Sequence, residues 1–370
     1  SQDGVLVRGT QILLQVWDFK DQDVYSQLSS VFDQATGTSK SAFSKTVNEL
    51  IGEVIESDDK ILEEIGSGSK NTVFKFKRSS GEEFALKCLN PNAESNTKVT
   101  LKIIENAVTH LFSTSSNDSF LNIISQNVIP LLNEWELGDI NDPDFFNLDP
   151  KFRNWLEKEE DKRKGNFRIF APEVIENIYY GEKEKEARKK IRMEQFVTGT
   201  NVNRLIIGET SNFSKGEVSI KDYKEIIDTL EDNYNRQLKN GLIHSNPHPG
   251  NFILTPDGKL AIIDRNFYLV LTDEDKAVLA EIYLKSLVPI YNPIIPLLKH
   301  IAPELSNDEI AKKAKNIKNR IGRVSFTNSS QARDLIFQLT QEDIKVPLRF
   351  MLIAIGLGTF RNMQEKQQKI

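Results

Sequence analysis

The stretch GLIHSNPHPGNFILTPDGKLAIIDRNF, residues 241–267, constrains the fold more than any other part of the chain. Pro247 and Pro249 fit neither a helix interior nor a central strand, because proline lacks the backbone donor and fixes φ. His244–Asn251 therefore reads as a loop. Pro256-Asp257-Gly258 carry turn chemistry between two apolar runs, so a hairpin should follow that loop. Asn251 and Asp264, thirteen residues apart, fall at the two ends of the hairpin. Side-chain oxygens so placed can converge on one Mg2+, which takes few protein oxygens beside phosphate and water. The plainer alternative is a turn with an incidental Asn and Asp. Two prolines, two histidines and a glycine within eight residues, between apolar runs, argue against it.

Upstream, ILEEIGSGSKNTVFKFKRSSGEEFALKCL (61–89) alternates apolar and polar residues between turns at Gly66–Gly68 and Ser79–Gly81, the pattern of a three-stranded antiparallel meander. Glycines in a strand-turn-strand let backbone N–H groups approach phosphate oxygens. Many hairpins contain such a turn, and no GKS or GKT follows, so this is not a Walker loop. Lys87, in Phe84-Ala85-Leu86-Lys87, would sit in an apolar strand, a costly place for an ammonium unless an anion meets it. Taken alone it could equally lie on an exposed strand face. Glu105 follows 18 residues later, on the helix expected after the strands, where a carboxylate can pair with such a lysine.

Together these segments resemble the UbiB-like atypical kinase family. HSNPHPGN followed by IIDRN is similar to that family's HxDPHPGN loop and metal-binding aspartate. MEQFVTG (193–199) is similar to its hinge, and VPLRFMLIAIGLGTF to its C-terminal segment. The likeness covers roughly residues 60–270 and, more loosely, the tail. It implies an α+β, bilobal protein-kinase-like fold: an N-lobe of a small antiparallel sheet plus a helix, and a mainly helical C-lobe, with Mg-ATP in the cleft. Lys87 would bind phosphate and Glu105 would pair with it. Gly66, Ser67, Gly68, Ser69, Val73 and Ala85 would form the nucleotide's N-lobe surroundings. Glu194, Phe196 and Val197 would meet the adenine. Asn251 and Asp264 would hold magnesium, and His244 would belong to the catalytic loop. Asn246 falls where the family has its catalytic aspartate.

The chain also departs from the family. Its nucleotide loop is glycine-rich rather than alanine-rich, and no KxGQ occurs in residues 1–60. Those family features are associated with suppressed protein-kinase activity, so their absence favours phosphoryl transfer. The usual Asp-Phe-Gly reads Asp264-Arg265-Asn266, and no Ala-Pro-Glu segment follows. An amide at 246 cannot accept a hydroxyl proton near neutral pH, so transfer should be impaired in this chain. Asn246 marks either a natural pseudokinase or an Asp-to-Asn exchange; retention of the lysine, glycines and metal ligands favours the exchange. The expectation is an atypical kinase or ATPase acting on a protein or small-molecule hydroxyl. A nucleotide-binding pseudokinase that regulates a partner by conformation is the alternative.

The rest of the sequence sets limits. A net charge of −5 and a pI near 5.7 give no basic field for nucleic acid. Cys88 is the sole cysteine, which excludes an internal disulfide and favours a reducing, cytoplasmic setting. Phe350–Phe360 is too short to cross a bilayer, which needs about 20 apolar residues; it reads as a buried helix. No signal peptide is apparent at the start. Residues 1–57 should form a helical extension, with a possible protein-partner role; 58–197 should be the N-lobe, with a surface insertion near 113–166 holding a helix around Trp155, and 198–370 the C-lobe. Strands should resume over 168–178 and 191–197. Ile226, Leu230, Tyr234 and Leu238 mark a long amphipathic helix ended at Asn240-Gly241. The run Glu182–Lys190 reads as a solvated hairpin or helix face.

Overall fold

The computed structural model describes residues 60–67, 71–89, 98–99, 101–102, 145–161, 166–180, 189–206, 220–265, 267–286, 291–322 and 329–367. The extension 1–57 and all of residues 113–144 lie outside the described residues, as do Gly68, Ser69 and Glu105. The chain divides into two compact units, one holding the described parts of 60–106 and 171–198, the other those of 107–170 and 199–370.

The first unit is a five-stranded antiparallel sheet in the order β1-β2-β3-β6-β5. Its strands are β1 (Lys60–Ser67), β2 (Asn71–Lys77), β3 (Glu83–Leu89), β5 (Val174–Tyr180) and β6 (Lys189–Gln195). The expected meander is present, with Gly81 (φ 91) at the β2–β3 turn. Because side chains alternate across a strand, Phe76, Phe84, Leu86, Cys88 and Met193 share one buried face. Burial there pushes the Cys88 thiol up to about 12. The opposite face carries Val73, Ala85, Lys87, Arg192 and Glu194. β5 and β6 close as a hairpin from the pair Tyr180↔Lys189, so the charged run spans its connection.

The strand expected over 168–178 is instead two strands in two sheets. β4 (Arg168–Phe170) pairs in parallel with β10 (Lys259–Ile262) in the second unit, while β5 joins the first. Pro172, which lacks a donor and restricts the residue before it, interrupts the ladder.

In the second unit β4, β10, β9 (Phe252–Leu254) and β7 (Thr200–Asn201) form one sheet, and β8 (Leu242–His244) pairs with β11 (Tyr268–Val270). Gly258 (φ 85) turns the expected β9–β10 hairpin, its N–H reaching Thr255 O at 3.0 Å. The described helices are α1 (Phe145–Glu160), α2 (Val202–Ile206), α3 (Ile220–Asn240), α4 (Asp273–Ser286), α5 (Ile294–Ile301), α6 (Asn307–Ile321), α7 (Ser329–Gln341) and α8 (Leu348–Gln367). α3 buries Ile226, Ile227, Leu230 and Tyr234, and ends at Gly241 (φ 88) as expected. Every residue of the apolar run 350–360 is buried in α8. The fully buried Asp275 ties α4 to α5 and α8, accepting from His300 Nε2 at 2.7 Å and Arg349 Nε at 2.8 Å. No described helix is long and apolar enough to cross a membrane. The helix around Trp155 is α1, and it is no surface appendage: Asp149, Phe152 and Leu156 are all buried. The architecture is α+β, with the antiparallel sheet in one unit and the helices concentrated in the other.

Candidate nucleotide and metal site

The loop after β8 is held from every side. Gln237 Oε1 on α3 accepts the His244 N–H at 2.8 Å, and the Ser245 hydroxyl donates to Phe267 O at 2.8 Å. His248 caps the short turn Pro249–Asn251, its Nδ1 accepting the Gly250 N–H at 3.0 Å. Asn201 Nδ2 donates to Gly250 O at 2.6 Å. Pro247 and Pro249 are buried and stiffen the path between. Asn246 is half-buried in this frame.

Asn251 and Asp264 flank the β9–β10 hairpin. The β9–β10 ladder runs to Ile262↔Phe252, and Ile263 N–H then donates to Asn251 O at 2.8 Å, leaving Asp264 one residue on. Asn251 Nδ2 donates to Asn246 O at 3.0 Å. That bond fixes the amide so that Oδ1 remains its acceptor. Asp264 lies in the left-handed region at φ 56. A β-carbon there costs roughly 1–2 kcal/mol, so the surroundings must impose the conformation. The other described non-glycine residue with positive φ, Asp343, follows the end of α7, where such a conformation is a common helix terminus. Asp264 follows a strand and has no such excuse. His244, 1% exposed, braces it: the ring Nε2 lies 3.3 Å from Asp264 O.

One carboxylate and one amide oxygen suit Mg2+, which keeps phosphate and water as its remaining ligands. Among the described residues no group of three or more His, Cys, Asp or Glu forms a protein-only metal cage. The donor set thus fits magnesium carried with a phosphate.

Residues 161–292 match the ABC1 atypical kinase-like domain. Over that stretch the chain resembles an atypical kinase-like domain. A curated relative, Protein ACTIVITY OF BC1 COMPLEX KINASE 3, chloroplastic, of Arabidopsis thaliana, is 24% identical over 204 residues, which is 55% of this chain and 25% of that protein. The chain thus spans a quarter of that relative's length. A solved structure of Rv3197 with erythromycin from Mycobacterium tuberculosis aligns with 84% of this chain and 74% of its own, at 18% identity and a TM-score of 0.42.

In the first unit's sheet, Val73, Ala85 and Lys87 share one face with Glu194, and Lys87 is half-buried directly across from Arg192. Glu194, 7% exposed, lies 3.4 Å from Arg192 through Oε1–Nη1 and pairs in register with both Ala85 and Val174. Phe196 and Val197 follow the end of β6, half-buried. Gly66 is exposed in β1 at negative φ, with open space where a β-carbon would sit, and Ser67 ends that strand. Neither packing nor dihedral demands glycine at 66.

Sequence reasoning missed the groups behind Asp264. Arg265, fully buried, donates from Nε to Asp149 Oδ1 at 2.8 Å and from Nη1 to Ile262 O at 2.6 Å. The Tyr268 hydroxyl donates to the same Asp149 oxygen at 2.7 Å, and Arg153 Nε reaches Asp149 Oδ2 at 3.0 Å. Burial alone would raise the Asp149 pKa, but attraction and hydrogen bonding from Arg265, with help from Tyr268 and Arg153, hold it below the ordinary carboxylate range. The only local hint was an arginine next to Asp264 inside an apolar stretch.

Proposed function

We propose that the protein binds Mg·ATP and is built as a phosphotransferase whose acceptor is a hydroxyl of a protein or small molecule, or water. The observation that carries this reading is Asp264, held at φ 56 one residue past the Ile263–Asn251 backbone bond that closes the β9–β10 ladder. Lys87 would meet phosphate charge, with Val73 and Ala85 on the same face. Phe196 and Val197 offer backbone groups to the base, and Glu194 orders the strand before them. Asn251 Oδ1 and the Asp264 carboxylate would hold the magnesium, which would offset phosphate charge. His244 keeps Asp264 in place rather than moving a proton. Glu105 is the proposed partner of Lys87.

At the position of the general base stands Asn246, which can orient an acceptor hydroxyl but not take its proton. Restoring the carboxylate in Asn246→Asp should raise ATP turnover about 10²–10⁴-fold, the usual share of general acid–base catalysis. Release of labelled phosphate, or its transfer to acceptors in an extract, reports the change. Equal rates for the two forms would refute the assignment of position 246. Asn246 also supports a second reading, a pseudokinase that signals by nucleotide-dependent conformation, with residues 1–57 as a partner surface. That reading predicts Mg·ATP binding by both forms with turnover by neither. We place the protein in a reducing, cytoplasmic setting on the strength of Cys88, the sole cysteine.

A further inference from the structure

We propose that Asp149 is a positioning residue for magnesium: through Arg265 it clamps the Asp264 segment in its metal-holding conformation, which makes α1 a working part of the site. This inference rests on the functional reading above.

The geometry forms a closed bracket around Asp264. On one side Ile263 N–H is bonded to Asn251 O, and His244 stands at Asp264 O. On the other, the Arg265 side chain folds back beneath the turn, donating to Ile262 O, two residues before Asp264, and to Asp149. Arg265 can take that path only if its charge is met, because an unpaired buried guanidinium is prohibitively costly. Asp149 meets it, 116 residues away in sequence, at 2% side-chain exposure. Tyr268 and Arg153 then occupy further lone pairs of Asp149. Phe152, one turn along α1, lays its ring 5.2 Å from that of Tyr268 and fixes the helix over the segment. The effect of this arrangement passes through the backbone of residues 262–264.

The domain match begins at residue 161, so α1 stands outside it. Few residues separate Asp264 from α4, which leaves little chain for a separate ordering loop. The bracket from α1 supplies the order instead.

The test compares ATP binding in Mg2+ with binding in EDTA, by calorimetry on the full chain. Asp149→Asn should weaken the Mg2+-dependent part of the affinity on the order of 10–100-fold, as loss of a metal site's outer partner does, while binding in EDTA stays near that of the unsubstituted chain. If Asp149→Asn does not fold, the apolar pair Asp149→Leu with Arg265→Met removes the buried charges together, a change that buried ion pairs commonly tolerate, and should show the same selective loss. Tyr268→Phe, which removes one donor to Asp149, should show a smaller loss of the same kind. A merely structural role would lower thermal stability equally with and without metal. A folded variant that keeps the unsubstituted chain's metal dependence overturns the clamp alone. Failure of the unsubstituted chain to bind Mg·ATP at all overturns the functional reading, and the clamp with it.

Discussion

α8 contains two glycines two residues apart, and the same substitution should have opposite effects at them. A β-carbon on Gly356 would lie 2.2 Å from the Tyr234 hydroxyl oxygen and 2.5 Å from the ring carbon bearing it. Contacts under 3.0 Å are essentially never seen, so the hydroxyl would have to retreat by about 0.8 Å. It has nowhere to go. Tyr234 is fully buried in α3, with its ring 5.4 Å from that of Phe360, one turn along α8 from Gly356. Overpacking of a rigid core costs about 1–3 kcal/mol, and two atoms in conflict place this case at the upper end. Glycine-to-alanine in a helix interior returns about 1 kcal/mol, so Gly356→Ala should lose about 2 kcal/mol net. At Gly358 no atom lies within 4 Å of the added carbon, so only the helix gain of about 1 kcal/mol remains. The two variants should therefore melt about 6–12 °C apart, at roughly 2–4 °C per kcal/mol for a unit of this size. Differential scanning calorimetry on the full chain measures it. In a Tyr234→Phe background, which removes the nearer atom and a buried hydroxyl without a partner among the described residues, part of the Gly356→Ala loss should return. Equal melting shifts for the two alanine variants would refute the packing of α8 on α3.

Stability should also fall in acid through Asp149. Its folded pKa is below the unfolded value of about 3.9, so its contribution is full above that value and is lost as pH drops through the folded pKa. Asp149→Asn lacks that titration, and its urea midpoint should fall less between about pH 5 and pH 3 than that of the unsubstituted chain; identical acid slopes would count against the Arg265 pairing. At Asp264, Asp264→Gly and Asp264→Ala should both abolish the magnesium response in a thermal-shift assay. The glycine form should be the more stable by roughly 1–2 kcal/mol, because only glycine enters the left-handed region without cost. Equal stability would mean that φ 56 is not imposed on the folded chain.

Much of the layout was legible because it rests on local signals. Pro256-Asp257-Gly258 encodes a turn whatever surrounds it, Asn240-Gly241 ends a helix, and the apolar run 350–360 admits only burial. The spacing from Asn251 to Asp264 followed from the hairpin alone, since a ladder of known length fixes where its two ends meet. The division of 168–178 was harder. Its apolar residues read as one strand, and only the placement of β10 and β6 decides that the halves go to different sheets. His248 serves as a cap, a role that depends on which backbone N–H its ring nitrogen finds.

What the sequence determined by itself was the set of elements and the loop in which Asn246, Asn251 and Asp264 lie, because turn chemistry and side-chain periodicity act between residues a few positions apart. The meaning of Arg265 came only from the tertiary structure. Beside Asp264 it looked like a departure from a familiar triplet; folded, it is a buried cation, and a charge can be buried only where a counter-charge is delivered to it. Asp149 is that counter-charge, brought across 116 residues by the packing of α1, and no local pattern in the chain could have announced the pair.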